Sequence, residues 1–204
     1  MTKQVKIQKR KKQSLAFLND LPDDKASLRG LAKKAIVSIL ADQKHSSKRV
    51  AKLIEKIQEL EIYRQARTVM IYSAMEDEID LQALVQADLD SDFPKTWVLP
   101  RAIGSGRMLC FELDSYERTI ESQYGIMVPP STNRLVDPEE IDLVIVPALM
   151  FDTEGYRLGR GAGYYDSFLS KHEIPTIGVS MAELVIDLLP HEEHDIKVNR
   201  VLLA

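Results

Sequence analysis

The run Leu143-Val-Ile-Val-Pro147 is apolar and β-branched enough to read as a buried strand. After it the chain passes into Arg157-Leu-Gly-Arg-Gly-Ala-Gly163 and then into Tyr164-Tyr-Asp-Ser-Phe-Leu-Ser-Lys171, whose apolar residues fall at helical spacing. Strand, glycine-arginine loop and helix in that order restrict the chain to an α/β arrangement with the loop at a strand's carboxyl end. Gly159, Gly161 and Gly163 at alternate positions can adopt positive φ and leave room beside the main chain, so successive amides can converge on an anion. Arg157 and Arg160 add forked, permanently charged donors suited to phosphate oxygens, and the dipole of the following helix points the same way.

Spacing alone leaves a second reading open, a tight strand-to-helix connection with solvated arginines. Two nucleotide motifs are excluded. No Gly-x-x-x-x-Gly-Lys-Ser/Thr occurs, and a dinucleotide fingerprint begun at Gly159 would need glycine where Tyr164 stands.

The rest of the chain fits an alternating α/β order. Asp23 or Asp24 can cap a helix from Lys25, with Leu28, Leu31, Ala35 and Ile39 on one face and Lys25 and Arg29 together on another. A second helix is expected after Ser46-Ser47, with Val50, Leu53, Ile54, Ile57 and Leu60 buried. Strands are expected at 68–73, 96–100, 108–113, 142–147, 176–180 and 196–202, with helical stretches near 81–89, 138–141, 162–171 and 182–189. Such alternation implies a largely parallel sheet covered on both faces.

A length of 204 residues suits one well-buried domain. Residues 1–12 hold six basic side chains and no acid, leaving 21 basic against 31 acidic residues for the remainder, a balance of −10. A polyanion would therefore need a local basic site. Residues 1–22 read as a basic, disordered tail and 23–204 as the domain. No apolar run approaches the ~20 residues of a membrane span, and the N-terminus lacks a secretory signal's apolar core. The single cysteine, Cys110, permits no internal disulfide and reads as a packed strand residue, which suits a reducing cytoplasm. His191 and His194 invite a metal reading, but their spacing lacks the glutamate and helix of a zinc-hydrolase motif.

From Lys25 to Val201 the sequence resembles the 5-formyltetrahydrofolate cyclo-ligase (methenyltetrahydrofolate synthetase) family. The resemblance is carried chiefly by Val146-Pro-x-x-x-Phe-Asp-x-x-Gly-x-Arg-Leu-Gly-Arg-Gly-x-Gly-Tyr-Tyr-Asp166. Lys25-Ala-Ser-Leu-Arg29, Tyr72 with Glu76-Asp-Glu-Ile-Asp80, Leu99-Pro-Arg101, Met108 with Phe111, and Leu189-Pro-His-Glu-Glu-His-Asp195 support it in the same order. It implies a three-layer α/β/α sandwich around a largely parallel sheet. It also implies use of MgATP to close the formyl group of 5-formyltetrahydrofolate onto the neighbouring nitrogen, giving 5,10-methenyltetrahydrofolate, ADP and phosphate.

Residue by residue, the resemblance implies that Lys25 and Arg29, which on charge pattern alone read as a solvated helix face, contact the nucleotide. They do so together with the loop Arg157, Leu158, Gly159, Arg160, Gly161, Ala162, Gly163, Tyr164 and Tyr165. Arg160 and Lys25 are the residues expected to act in catalysis, and Asp166 and Asp195 to hold Mg²⁺. Glu78 is expected on the pterin ring, with Tyr72, Tyr164 and Tyr165 lining the folate side, although one of the last two can instead pack beneath the loop. Asp80 reads as a helix cap.

The chain departs from the family's pattern at Val128 and Leu184, apolar where the family is polar, at Asn199, where it is acidic, and at Ala162, where it has glycine. These departures leave a second reading, a relative that keeps the MgATP half and acts on another small formyl or amide compound. A third, nucleic-acid binding, rests only on the basic tail. The resemblance favours a cytoplasmic monomer whose partners are ATP and a reduced folate.

Overall fold

A computed structural model describes residues 21–122 and 125–204. Asp24 ends its extended backbone by accepting the Ser27 amide at 2.8 Å, which starts α1, Lys25–Ala41. The second helix, α2 (Gln43–Glu59), begins earlier than the serines suggest, because Asp42 accepts the His45 amide at 3.0 Å. The Ser46 and Ser47 hydroxyls donate back to the Asp42 and Gln43 carbonyls at 2.9 and 2.6 Å inside the first turn. A short α3 (Glu61–Gln65) leads into strand β1, Thr68–Met70.

Beyond β1 come α4 (Gln82–Leu89), the hairpin β2 (Thr96–Gly104) and β3 (Arg107–Leu113), and the two-residue strands β4 (Ile120–Glu121), β5 (Met127–Val128) and β6 (Leu135–Val136). The last third holds β7 (Leu143–Val146), β8 (Met150–Asp152), β9 (Arg157–Leu158), α5 (Tyr164–Leu169), β10 (Thr176–Ser180), β11 (Val185–Ile186) and β12 (Arg200–Leu203). Residues 138–140 and 182–184 are single 3₁₀ turns, where longer helical stretches were expected. The expected strand at 196–202 starts only at Arg200, because the Ile196 and Val198 amides are spent on Asp166 and on the Gly155 carbonyl.

The main sheet runs β12-β10-β7-β1-β2-β3-β6, with the first five strands parallel, β3 antiparallel to β2, and β6 antiparallel to β3. Period-two alternation sends Val69, Trp97, Leu143, Ile145 and Ile177 to a core shared with α1, α2 and α4. Met70, Val98, Val144, Val146 and Val201 go to the other core, against Phe168 and Leu169 of α5. This is the expected three-layer α/β/α arrangement, with the second outer layer thin. Leu21 packs on the helix-side core, so the only two described residues of the expected tail belong partly to the domain. The basic run itself lies outside the described residues.

Strand order decides where a site can form. From β1 the chain goes to β2 on one side and then to β7, β10 and β12 on the other. The connections leaving β1 and β7 therefore diverge, and a crevice opens between their carboxyl ends.

Candidate active site at the strand switch point

A cavity of about 340 Å³ occupies that crevice. Tyr72, Ser73, Met75 and Glu78 reach it from the segment after β1, and Pro147, Ala148 and Leu149 from the segment after β7. The remaining lining separates into two groups. Pro100, Ala102, Met108 and Val128 come from β2, β3 and β5 and, with Ile126 and Ser122 from the segment before β5, are predominantly apolar. Lys25 and Arg29 of α1, the whole of Arg157–Asp166, and Glu192, His194 and Asp195 form a charged group. Every site residue expected from the sequence borders this one cavity.

The glycine-arginine loop is delivered by the β8–β9 hairpin, whose turn is built on Asp152. That carboxylate is fully buried and accepts the amides of Glu154 and Tyr156, each at 2.9 Å, and of Leu189 at 3.1 Å. Past the hairpin, Arg29 donates Nε to the Gly159 carbonyl at 2.9 Å. Gly161 has φ of 102°, which favours glycine, and a Cβ there would stand 3.3 Å from the Arg29 guanidinium carbon, close enough to ask Arg29 to shift slightly. Gly161 and Gly163 take the expected positive φ and Gly159 does not. The helix that follows is shorter than expected, Tyr164–Leu169, because the chain turns at Ser170 toward the extended Ile174-Pro175 that enters β10. The loop therefore offers oriented amides and side chains more than the dipole of a long helix.

The charged side chains hold one another in place. Lys25 Nζ lies 2.7 Å from Asp195 Oδ2 and 3.2 Å from Glu192 Oε1. Partial burial disfavours the Lys25 charge, but these carboxylates outweigh it and raise the lysine's pKa. Asp195 is likewise opposed by burial, yet Lys25 and the Glu192 amide keep its carboxyl below the ordinary value. Arg157 is nearly buried and donates to Asp166 Oδ1 at 2.7 Å and to the Ile196 carbonyl. Burial lowers its pKa despite Asp166. Asp166 Oδ1 also accepts the Ile196 amide at 3.0 Å, which draws Asp166 and the Asp195 segment together. Arg160 points across the cavity, donating Nε to Glu78 Oε1 at 3.1 Å and a terminal nitrogen to Asp77 Oδ1.

The tyrosines divide. Tyr72 is buried and its hydroxyl donates to the Ile79 carbonyl at 2.5 Å, so it offers the cavity a ring face. Tyr165 reaches into the lower core with a buried hydroxyl that has no hydrogen-bond partner, and burial drives its pKa up. Tyr164 remains at the cavity wall. Asp80, expected as the cap of α4, stands one residue ahead of it: the N-cap is Leu81, which makes no side-chain cap bond, and Asp80 accepts the Gln82 amide at 2.8 Å. His191 Nδ1 donates to the Leu189 carbonyl at 3.0 Å, and the ring stacks on Tyr156 at 3.7 Å. No group of three or more His, Cys, Asp or Glu able to hold a metal occurs among the described residues. Cys110 is buried with its thiol pKa pushed up to about 12, as a packed strand residue requires.

Of the departures from the family's pattern, Val128 borders the cavity and is buried in its apolar wall. Leu184 is a core residue. The Asn199 side chain accepts from the Thr176 amide at 2.8 Å and its hydroxyl at 3.0 Å, a link between strands away from the cavity. Sequence reasoning missed Ser73, Met75, Ala102, Ser122, Ile126, Pro147, Ala148, Leu149, Glu192 and His194 as lining residues. Pro147, Ala148 and Leu149 carry no chemical signature and become legible only once strand order is known.

A model of the 5-formyltetrahydrofolate cyclo-ligase family matches residues 22–204. The mouse 5-formyltetrahydrofolate cyclo-ligase is 28% identical over 159 residues, covering 69% of this chain and 74% of its own. The enzyme of that name from Mycolicibacterium smegmatis is 31% identical, over 67% of this chain and 73% of its own. The solved structure of Aquifex aeolicus 5,10-methenyltetrahydrofolate synthetase superposes with a TM-score of 0.75 at 29% identity, covering 85% of this chain and 86% of that one.

Proposed function

The chain belongs to the 5-formyltetrahydrofolate cyclo-ligase family, and from that premise we propose how the cavity at the strand switch point divides the work of the reaction. The chain is an ATP-dependent ligase that converts 5-formyltetrahydrofolate to 5,10-methenyltetrahydrofolate. The nucleotide's phosphates lie along Lys25, Arg29 and the 157–165 loop, and the folate ring lies between Tyr72, Glu78 and the apolar wall around Val128. The observation that carries this division is the convergence of one charged and one apolar group of residues on a single cavity.

The formyl oxygen is a weak nucleophile. Moving the terminal phosphoryl group of ATP onto it turns that oxygen into a leaving group; the neighbouring folate nitrogen attacks the carbon, and phosphate departs with the oxygen. Transfer of this kind depends on positioning and charge neutralisation. Lys25, Arg29 and Arg160 supply fixed positive charge, and the loop amides supply oriented dipoles. Glu78 accepts paired N–H bonds from the pterin ring, and the Tyr72 ring offers a stacking face.

Asp166 has one carboxylate oxygen without a hydrogen bond and stands beside the Asp195 segment. That donor set fits Mg²⁺, which binds through one or two carboxylates and substrate phosphates while keeping several waters. When bound, the ion supplies neutralisation of phosphate charge. No helix among the described residues is long and apolar enough to cross a membrane, and the lone buried cysteine suits a cytoplasmic protein.

The test is turnover of 5-formyltetrahydrofolate by the full chain, followed through the near-ultraviolet absorbance of the methenyl product together with ADP release. One ADP per product, loss of turnover on chelation, and a raised Mg²⁺ requirement in Asp195→Asn are expected. Product formed without ATP, or an unchanged Mg²⁺ requirement in that variant, would contradict the assignment.

A further inference from the structure

Among the described residues, two carboxylates of the β1–α4 segment meet the phosphate loop through one guanidinium. Arg160 donates Nε to Glu78 and a terminal nitrogen to Asp77, and all three side chains are largely withdrawn from solvent, at 29%, 9% and 16% exposure. The second oxygen of Glu78 accepts the Met75 amide at 3.0 Å. Both oxygens of Glu78 are thereby engaged, and so are two of the donors with which Arg160 would face a phosphate. Asp77 does not border the main cavity and takes no part in the reaction as described above.

We propose that Asp77 is a positioning residue that, with Glu78, clasps Arg160 across the empty site and couples binding of the two substrates. This rests on the assignment of Arg160 to the phosphates and Glu78 to the folate ring. A nucleotide arriving alone must draw Arg160 off both carboxylates. A folate arriving alone must displace it from Glu78. Whichever binds second finds the clasp already opened, so each tightens the other, and by linkage the two effects are equal. Asp77 sets how firmly the empty site holds Arg160, because the one guanidinium bonds both carboxylates and leaves Asp77 together with Glu78 when either ligand frees it.

The experiment is equilibrium titration of the full chain with a non-hydrolysable MgATP analogue, with and without 5-formyltetrahydrofolate, and the reverse titration. In the wild type each ligand should tighten the other about five- to tenfold. Asp77→Ala should bind the analogue alone more tightly and reduce the mutual effect to about twofold or less. Asp77→Asn, which keeps the shape, should act in the same direction, and Asp77→Glu should restore the coupling. A merely structural role for Asp77 would weaken both ligands and leave their coupling intact, overturning the proposal. Independent binding of both ligands by the wild type overturns the coupling alone. A wild type that binds no nucleotide overturns the functional reading and the coupling with it.

Discussion

At Gly161 a positive φ strains any side chain, and Arg29 lies close enough that a Cβ would press on it. Gly161→Ala strains the backbone and presses on the Arg29 guanidinium that bonds the Gly159 carbonyl. The variant should lose about 1–3 kcal/mol of stability in denaturant unfolding and bind nucleotide more weakly. An unchanged nucleotide affinity would mean that the Arg29–loop contact does not shape the phosphate site. Residue chemistry at this scale was well marked in the sequence, because glycine, arginine and aspartate in a short run have few other uses. What could not be read was each side chain's present partner. Arg157, expected on phosphate, is committed to Asp166 and Ile196, and Arg160 lies on carboxylates 82 and 83 positions away. Such pairings depend on which distant segments the fold brings together.

At the scale of elements, β10 stands between β7 and β12, with Gly178 at its middle. Phe151 of β8 lies so close that a Cβ on Gly178 would come within 2.5 Å of two of its ring carbons. The Phe151 ring is buried and cannot retreat, so Gly178→Ala should destabilise the protein by about 1–3 kcal/mol through overpacking. A thermal melt matching the wild type would contradict this packing. Because β8 carries the hairpin that presents the phosphate loop, activity should fall along with stability. Strands β1, β2, β3, β7 and β10 were legible from apolar runs. The strands β4, β5, β6, β8, β9 and β11, of two or three residues each, were not, since so few residues show no periodicity and are held by tertiary pairing. The early start of α2 was missed because a serine pair resembles a cap, whereas Asp42 outcompetes it.

Across the whole molecule, strand order creates the crevice and buried chemistry fixes the pH range in which it survives. Parallel strands covered on both faces followed from the alternation of elements, but the order β12-β10-β7-β1-β2 did not, since apolar strands of similar length can pair in many sequences. The family resemblance supplied the layered fold and the set of site residues; the crevice between β1 and β7 explains why they converge. Burial raises the pKa of Tyr63, Tyr72, Tyr116 and Tyr165 above the ordinary value of 10.0. A raised folded value gives stability that is whole below the unfolded pKa and lost as pH rises past it. Lys25, raised above 10.5, acts in the same sense, while Asp195, lowered below 3.8, contributes above that value and loses its contribution in acid. Stability should therefore hold from about pH 4 to 10 and fall on the alkaline side. Tyrosinate absorbance should appear together with unfolding; four tyrosines ionising while the fold stays intact would contradict their burial.

The division of one cavity between nucleotide and folate is tested most directly by separate equilibrium binding of each ligand to Arg29→Ala and Ala102→Leu. Arg29 bonds the Gly159 carbonyl of the glycine-arginine loop, and Ala102 belongs to the apolar wall, where a larger side chain fills space. The expected result is a crossed pattern: Arg29→Ala weakens the MgATP analogue about tenfold or more and leaves 5-formyltetrahydrofolate within about twofold, and Ala102→Leu does the reverse. If both variants weakened the same ligand, or each weakened both ligands equally, the two-sided cavity would be wrong.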